Sequence, residues 1–324
     1  MKGLTDIPGI RVGHASDYEA LTGCTVILCE SGAVGGVDVR GSAVGAQELE
    51  VLGPLHITAH VHAVVLAGGS AFGLEAASGV RRYLEQKGVG FATSAGRVPI
   101  VPAAILYDLA IGKAGVRPTR EMGEAAAAAA TDEAVREGAV GAGTGATVGK
   151  LYGIRQAMKS GIGSATVWLD GPLAGVRVAA LAAVNAFGDV RDPETGRLLA
   201  GARTSASSLE LADMARQLKR GSSGGFQREN TTLVVVATNA RLSKPDANKL
   251  AQLASAGFAR AISPVWTLSD GDLTVALSLG DQQADLTALG IAGAEAVAQA
   301  IVRAVRMAPG LGGLPGLADS PANP

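Results

Sequence analysis

The residues of this 324-residue chain that could do chemistry are a histidine cluster, two glycine-rich stretches and one threonine heading an apolar strand. His56, His60 and His62 lie close together, and two of them share a strand face. No Cys or carboxylate stands at ligand spacing around them, and zinc takes three or four protein ligands. They read as structural or surface histidines. The loop GAGTGATVGK, Gly141 to Lys150, looks like a phosphate loop, but the motif's first Gly would fall at Thr144 and Leu151 replaces the required Ser or Thr. Gly221-Ser222-Ser223-Gly224-Gly225 fits G-x-S-x-G in letters only. A nucleophile elbow follows a strand and opens a helix; here a helix precedes and a strand follows, so the stretch reads as a linker. No Ser-His-Asp triad assembles from four histidines. What remains is Arg228 to Ala240, RENTTLVVVATNA, a polar junction set directly against a buried-looking strand that begins with Thr. By composition alone it is a strand edge after a loop.

The elements around that junction follow from periodicity and punctuation. Strands are expected at Thr22–Cys29, Ala59–Leu66, Gly90–Thr93, Ser164–Leu169, Val176–Phe187, Thr231–Thr238 and Asp272–Ser278. Helices are expected near 71–86, 121–136, 207–219 and 283–306, with another opening on the capping sequence Ser243-Lys244-Pro245-Asp246. The segment RVPIVPAAILYDL, from Arg97, reads as loop entering helix. From Pro309 to Pro324 the chain is Gly/Pro-rich and reads as a flexible tail. Domain organisation is thus one domain over residues 1–308 with a tail over 309–324.

Composition limits the partners. Lys+Arg 28 against Asp+Glu 29 leaves a net charge of −1 and no basic stripe, so nucleic acid is not an expected partner. No apolar run reaches bilayer length and no secretory signal opens the chain, so the expectation is a cytoplasmic protein with no membrane partner. Aromatics are 3% against 48% hydrophobic residues, so Ala, Val, Leu and Ile must build the core. Cys24 and Cys29 fall on opposite faces of one strand and read as buried thiols.

Several motifs in shared order resemble one family over roughly residues 3–308. They are Ile7-Pro8-Gly9-Ile10-Arg11-Val12-Gly13-His14, Gly36-Val37-Asp38-Val39-Arg40-Gly41, Gly68-Gly69-Ser70-Ala71-Phe72-Gly73-Leu74, Val184-Asn185-Ala186-Phe187-Gly188, and Asn230-Thr231-Thr232 at a strand start. The chain resembles the DmpA-type aminopeptidases, self-processing N-terminal-nucleophile hydrolases, and within them the nylon-oligomer hydrolase branch. The resemblance implies an α/β fold of αββα type, with antiparallel or mixed sheets between helices. It implies self-cleavage at Asn230–Thr231 into chains 1–230 and 231–324, with Thr231 the new N-terminal nucleophile. By the same matching, Asn185 stabilises the oxyanion, Lys150 and Tyr107 line the site, and Asp270 and Asp272 orient the nucleophile. Each of these residues alone also fits an ordinary surface, turn or helix role.

The chemistry supports that assignment independently. A Thr hydroxyl can attack the preceding carbonyl, shift the acyl group from N to O, and leave a free α-amine beside the same hydroxyl after hydrolysis. A terminal amine, with a pKa of about 7.7–8.0, is a suitable base for a weak hydroxyl nucleophile. No metal or organic cofactor is expected. The resemblance implies a homotetramer acting on small amide or peptide substrates. The stretch Arg97 to Ala104 holds no acid to anchor a substrate amine, so a broad amidase that includes ω-amino acid oligomers fits better than a strict aminopeptidase. The rivals are an acyltransferase of the ornithine acetyltransferase type and a non-catalytic binding protein on the same fold.

Overall fold

Strands such as Val234-Val235-Val236 are apolar on both faces, and a strand of that kind needs a packed layer on each side. The computed structural model, which describes residues 2–222 and 230–319, supplies both layers. Its main sheet contains β1 (Arg11–Asp17), β2 (Thr22–Val39), β3 (His60–Ala67), β4 (Ala103–Ile105), β5 (Ile162–Trp168), β6 (Arg177–Asn185), β7 (Thr231–Ala240) and β8 (Leu273–Gln282). The order is β5-β6-β7-β8-β2-β3-β4, with the short strand Ala46–Gln47 on β4 and with β1 also paired to β2. β7–β8 and β3–β4 are parallel. The other pairs are antiparallel.

Among the described residues six helices flank the strands: α1 (Ala76–Gln86), α2 (Arg120–Ala128), α3 (Met214–Lys219), α4 (Lys244–Ala254), α5 (Ala256–Ala261) and α6 (Leu286–Arg306). The core divides into three large clusters, one for each interface of a four-layer stack. Val178, Ala180, Ala182 and Val184 of β6 pack with Leu250, Phe258, Ala296 and Ile301 of the helices. The alternate residues Ala179, Leu181 and Ala183 pack with Ile27, Val64 and Leu66 of the other half of the sheet. Cys24, Val26 and Leu28 then face Ala76, Val80 and Ala126 of α1 and α2. This is the αββα sandwich, read directly from the period-two alternation of its strands.

A core poor in aromatics closes by near approach. A Cβ on Gly36 of β2 would lie 2.3 Å from the Ala247 carbonyl carbon of α4, and one on Gly13 of β1 would lie 2.0 Å from the Ala126 carbonyl oxygen of α2. The two cysteines are free and buried in different clusters, as their spacing requires. Helix α6 corrects the expectation that nothing reaches bilayer length, because it is long and apolar enough to cross a membrane. Here it is a core helix, with Ala296, Ala300, Ile301, Ala304 and Val305 fully buried.

Tertiary pairing overrides local propensity at several boundaries. The helix expected at 121–136 stops at Ala128, because Val12 and Thr131 exchange backbone hydrogen bonds of 2.9 and 3.1 Å. The segment from Arg97 forms β4 and no helix, since β3 offers it a parallel edge. The helix expected from 207 begins at Met214, whose N–H is held by Asp189 Oδ2 at 2.7 Å. β2 runs on to Val39, past Cys29, because β8 pairs with its glycine-containing second half. The expected tail is packed over residues 309–319: the Pro315 carbonyl accepts the Lys159 N–H at 2.9 Å and Leu314 is buried. Residues 320–324, most of the Gly/Ser stretch 221–225, and Arg228 and Glu229 of the junction lie outside the described residues.

Candidate active site

The antiparallel register of β6 and β7 sets Asn185, the last residue of β6, directly opposite Thr231, the first of β7. β8 runs parallel to β7 from Leu273, so the residues preceding β8 lie beside those preceding β7. Asn230 and Asp270 form a parallel bridge there. The Asn230 N–H donates to the Ser269 carbonyl at 3.3 Å, and the Gly271 N–H donates to the Asn230 carbonyl at 2.8 Å. The Thr231 hydroxyl donates to that same carbonyl oxygen at 2.6 Å. Thr231 is 3% exposed, so its side chain meets this carbonyl inside the protein and not in solvent.

The two acids hold the backbone around the threonine. Asp272 Oδ1 accepts the Thr232 N–H at 2.6 Å. Asp270 Oδ1 accepts the Phe187 N–H at 3.1 Å, and its Oδ2 accepts the Thr267 N–H at 3.1 Å and hydroxyl at 2.5 Å. With the Asn230–Thr231 peptide intact, neither bonds the Thr231 hydroxyl among the described residues. The end of β2 braces the turn: the N–H groups of Arg40 and Gly41 donate to the Asp272 carbonyl, and that of Ala43 to the Asp270 carbonyl. Burial, and then Asp270 alongside, push the Asp272 carboxyl well above the usual carboxylate range. Its hydrogen bonds from Thr232 and Trp266 and the charge of Lys150 oppose that shift.

Asn185 is fully buried and its amide is held at both ends. Its Nδ2 donates to the Tyr107 carbonyl at 2.8 Å. Its Oδ1 accepts the Thr147 N–H at 3.0 Å and Lys150 Nζ at 3.0 Å. Lys150 Nζ also donates to the backbone carbonyls of Asn185 at 2.9 Å and Ala186 at 3.3 Å. An Asn amide has two N–H donors, so fixing one on Tyr107 aims the other. Tyr107 follows β4, and with Thr147, Lys150 and Ile154 it lines a small cavity of about 10 Å³, close to the volume of one water.

The six residues read from sequence (Thr231, Asn185, Lys150, Asp270, Asp272 and Tyr107) are therefore joined by one chain of hydrogen bonds and strand pairings. Three contributors were not foreseen. Gly271 acts through its backbone, Thr267 caps Asp270, and Thr147 orients Asn185. The only signal was position: Gly271 lies between two flagged acids, and Thr147 lies in the loop that ends at Lys150. Among the described residues no group of three or more His, Cys, Asp or Glu could hold a metal ion. His56 Nδ1 accepts the Thr58 N–H at 3.1 Å and His62 Nδ1 accepts the Ile100 N–H at 3.2 Å, so both brace backbone.

Comparison with known proteins gives the chain's relatives. The model of peptidase family S58 matches residues 2–318. An uncharacterised aminopeptidase of Mycobacterium tuberculosis (strain H37Rv) is 39% identical, with 98% of both chains covered. A 6-aminohexanoate-oligomer endohydrolase of Kocuria sp. is 30% identical over 93% of this chain and 85% of its own. Among solved structures, a β-aminopeptidase of Burkholderia sp. superposes with a TM-score of 0.70 at 24% identity, covering 98% of this chain and 90% of that one. The L-aminopeptidase D-Ala-esterase/amidase of Ochrobactrum anthropi, described as a variant of the Ntn hydrolase fold, gives 0.72 at 19% identity over 95% and 86%. The chain belongs to peptidase family S58, the DmpA-like family, and is a hydrolase of amide or peptide bonds.

Proposed function

We infer that Thr231 is the nucleophile, released by cleavage of the Asn230–Thr231 bond. The observation that carries this is the Thr231 hydroxyl resting on the Asn230 carbonyl oxygen while the Gly271 N–H holds the same oxygen. Attack of Oγ1 on the Asn230 carbonyl carbon forms the ester as the C–N bond breaks, and the nitrogen takes up the hydroxyl proton. Water then hydrolyses the ester, leaving an Asn230 carboxylate and a Thr231 that carries both amine and hydroxyl.

In turnover the free amine takes the hydroxyl proton, Oγ1 attacks the substrate amide, the substrate amine leaves and water clears the acyl group. The remaining Asn185 N–H donates to the developing oxyanion, and losing one such donor raises a barrier by about 2.7–4 kcal/mol. Lys150 holds the Asn185 amide and adds positive potential. The substrates proposed are small peptide amides and linear ω-amino acid oligomers. The absence of an acid between Arg97 and Ala104, and the 30% identity to 6-aminohexanoate-oligomer endohydrolases, support the second class.

Intact-mass spectrometry under denaturing conditions tests the assignment. Wild type should separate into chains of about 23 and 9 kDa with Thr231 at the new N-terminus, scaled from chain length. Thr231→Ala should remain one 32.3 kDa chain without activity. A Thr231→Ala protein that still matures or still hydrolyses amides removes the reading.

A further inference from the structure

Two charged side chains lie buried behind the Asn185 amide and have no part in the chemistry above. Lys159 is fully buried and pairs with Thr147 in a short antiparallel ladder. Its Nζ donates to the carbonyls of Thr144 at 3.0 Å and Ala146 at 2.6 Å. Asp108 is 5% exposed; its Oδ1 accepts the Gly69 N–H and its Oδ2 the Thr22 hydroxyl, both at 2.7 Å. Two glycines make room for it. A Cβ on Gly68 would lie 2.0 Å from Asp108 Oδ2, and one on Gly145 would lie 2.6 Å from Asp108 Cβ. Gly145 is also the residue between the two carbonyls that Lys159 holds, so the turn that the ammonium holds packs against the carboxylate, which is itself tied to Gly69 and Thr22.

That turn and its neighbour hold Asn185. The amide Nδ2 rests on the carbonyl of Tyr107, the residue before Asp108. The amide Oδ1 rests on the N–H of Thr147, the residue after Ala146. Both ends of the amide are therefore one peptide unit from an anchor made by the buried pair. Apolar side chains of similar volume would fill this space without desolvating two ions. They could not satisfy the carbonyl of Thr144 or the N–H of Gly69; the Ala146 carbonyl also accepts the Ser160 N–H at 3.0 Å. Burial drives Asp108 up to about 6 and Lys159 down to about 7, and the charge of each partner opposes the shift of the other.

We propose that Asp108 and Lys159 are positioning residues that act through Tyr107 and Thr147 to fix the Asn185 amide for the reacting carbonyl. This rests on the reading of Asn185 as the oxyanion donor. The test is a double-mutant cycle on mature enzyme with 6-aminohexanoyl p-nitroanilide as the probe, using Lys159→Met, Asn185→Ala and the two combined, with circular dichroism to establish folding. Lys159→Met should lower kcat about tenfold and leave KM within about twofold. The combined variant should be no slower than Asn185→Ala alone, because no amide remains to be positioned. Asp108→Asn, close in shape, should also lower kcat without raising KM, and it carries the same cycle if Lys159→Met fails to fold.

Wild-type kcat in Lys159→Met, or a combined loss equal to the product of the two single losses, overturns the proposal. Wild-type kcat in Asn185→Ala instead overturns the assignment of the oxyanion donor, a separate result.

Discussion

The Gly271 N–H donates to the Asn230 carbonyl oxygen at 2.8 Å, from a residue that sits between the buried carboxylates of Asp270 and Asp272. The relationship follows from the parallel course of β7 and β8, which sets the residues before each strand side by side. A donor already aimed at a carbonyl needs no reorganisation when negative charge develops there. If the chain is cut at Asn230–Thr231 as proposed, it carries this donor in place before cleavage begins.

The space around Gly271 makes the first prediction. A Cβ there would lie 2.8 Å from Thr231 Oγ1 and 2.6 Å from the Ala43 carbonyl, closer than real Cβ contacts. The Gly271→Ala change must therefore displace the hydroxyl or the turn by a fraction of an ångström. Misplacement of reacting groups by about 1 Å costs roughly 100-fold in rate, so a smaller shift costs on the order of tenfold. Precursor disappearance, followed by mass spectrometry after a synthesis pulse, should slow by about that tenfold while the circular dichroism spectrum is retained. Maturation at the wild-type rate would mean that Thr231 is not held as the structure places it.

Asp272 gives a prediction in pH. Its carboxyl lies well above the usual range through burial and the neighbouring Asp270, and the charge of Lys150 pulls it back down. As pH falls through that raised value the carboxylate is neutralised, and the Thr232 N–H, next to Thr231, loses its charged acceptor. The acid limb of kcat/KM should accordingly fall above the ordinary carboxylate range. Lys150→Met removes the opposing charge and should move the limb to higher pH, besides lowering kcat through Asn185. A limb that stays in place or moves down in Lys150→Met would separate the lysine from the acids.

Much of this architecture is legible in the sequence, and the failures have physical causes. The αββα stack is what the family resemblance implies, and α4 begins where Ser243 and Asp246 form the expected capping box. Thr231 and Asn185 could be placed through the family motifs Asn230-Thr231-Thr232 and Val184-Asn185-Ala186-Phe187-Gly188, since composition alone makes Thr231 an ordinary strand edge. The role of Gly271 could not, since a backbone N–H carries no mark in the sequence. Asp108 and Lys159 lie 51 positions apart and meet only through loop packing. The extent of β2 was hidden by Gly32, Gly35 and Gly36, whose low strand propensity is overruled by the edge that β8 provides.

The buried thiols supply a test of the core. Cys24 and Cys29 are pushed up to about 12 by burial, so neither has thiolate at neutral pH. A thiol reagent at pH 8 should leave the native protein unlabelled and modify both cysteines once denaturant unfolds it. Labelling of native protein at a rate independent of unfolding would contradict the three-interface core in which the two residues sit on opposite faces of one strand.

His14 offers the opposite case, a buried base. His14 Nδ1 shares a hydrogen bond with Thr25 Oγ1, 2.9 Å away, and its Nε2 is buried without a partner among the described residues. Burial, with Arg136 adding to it, lowers the imidazole from 6.5 to about 4. Between those values the unfolded chain binds the proton and the folded chain does not, so this contribution is complete above pH 6.5 and is lost as pH falls toward 4. The shift is worth up to about 3 kcal/mol. Asp108 and Asp189, both raised to about 6, act in the other sense and favour the fold as pH falls. Their terms are common to wild type and His14→Gln and cancel in the difference. Urea unfolding at pH 7 and pH 4.5 should therefore show the stability difference between wild type and His14→Gln shifting against wild type at the lower pH. An unchanged difference would show that His14 is protonated in the folded state.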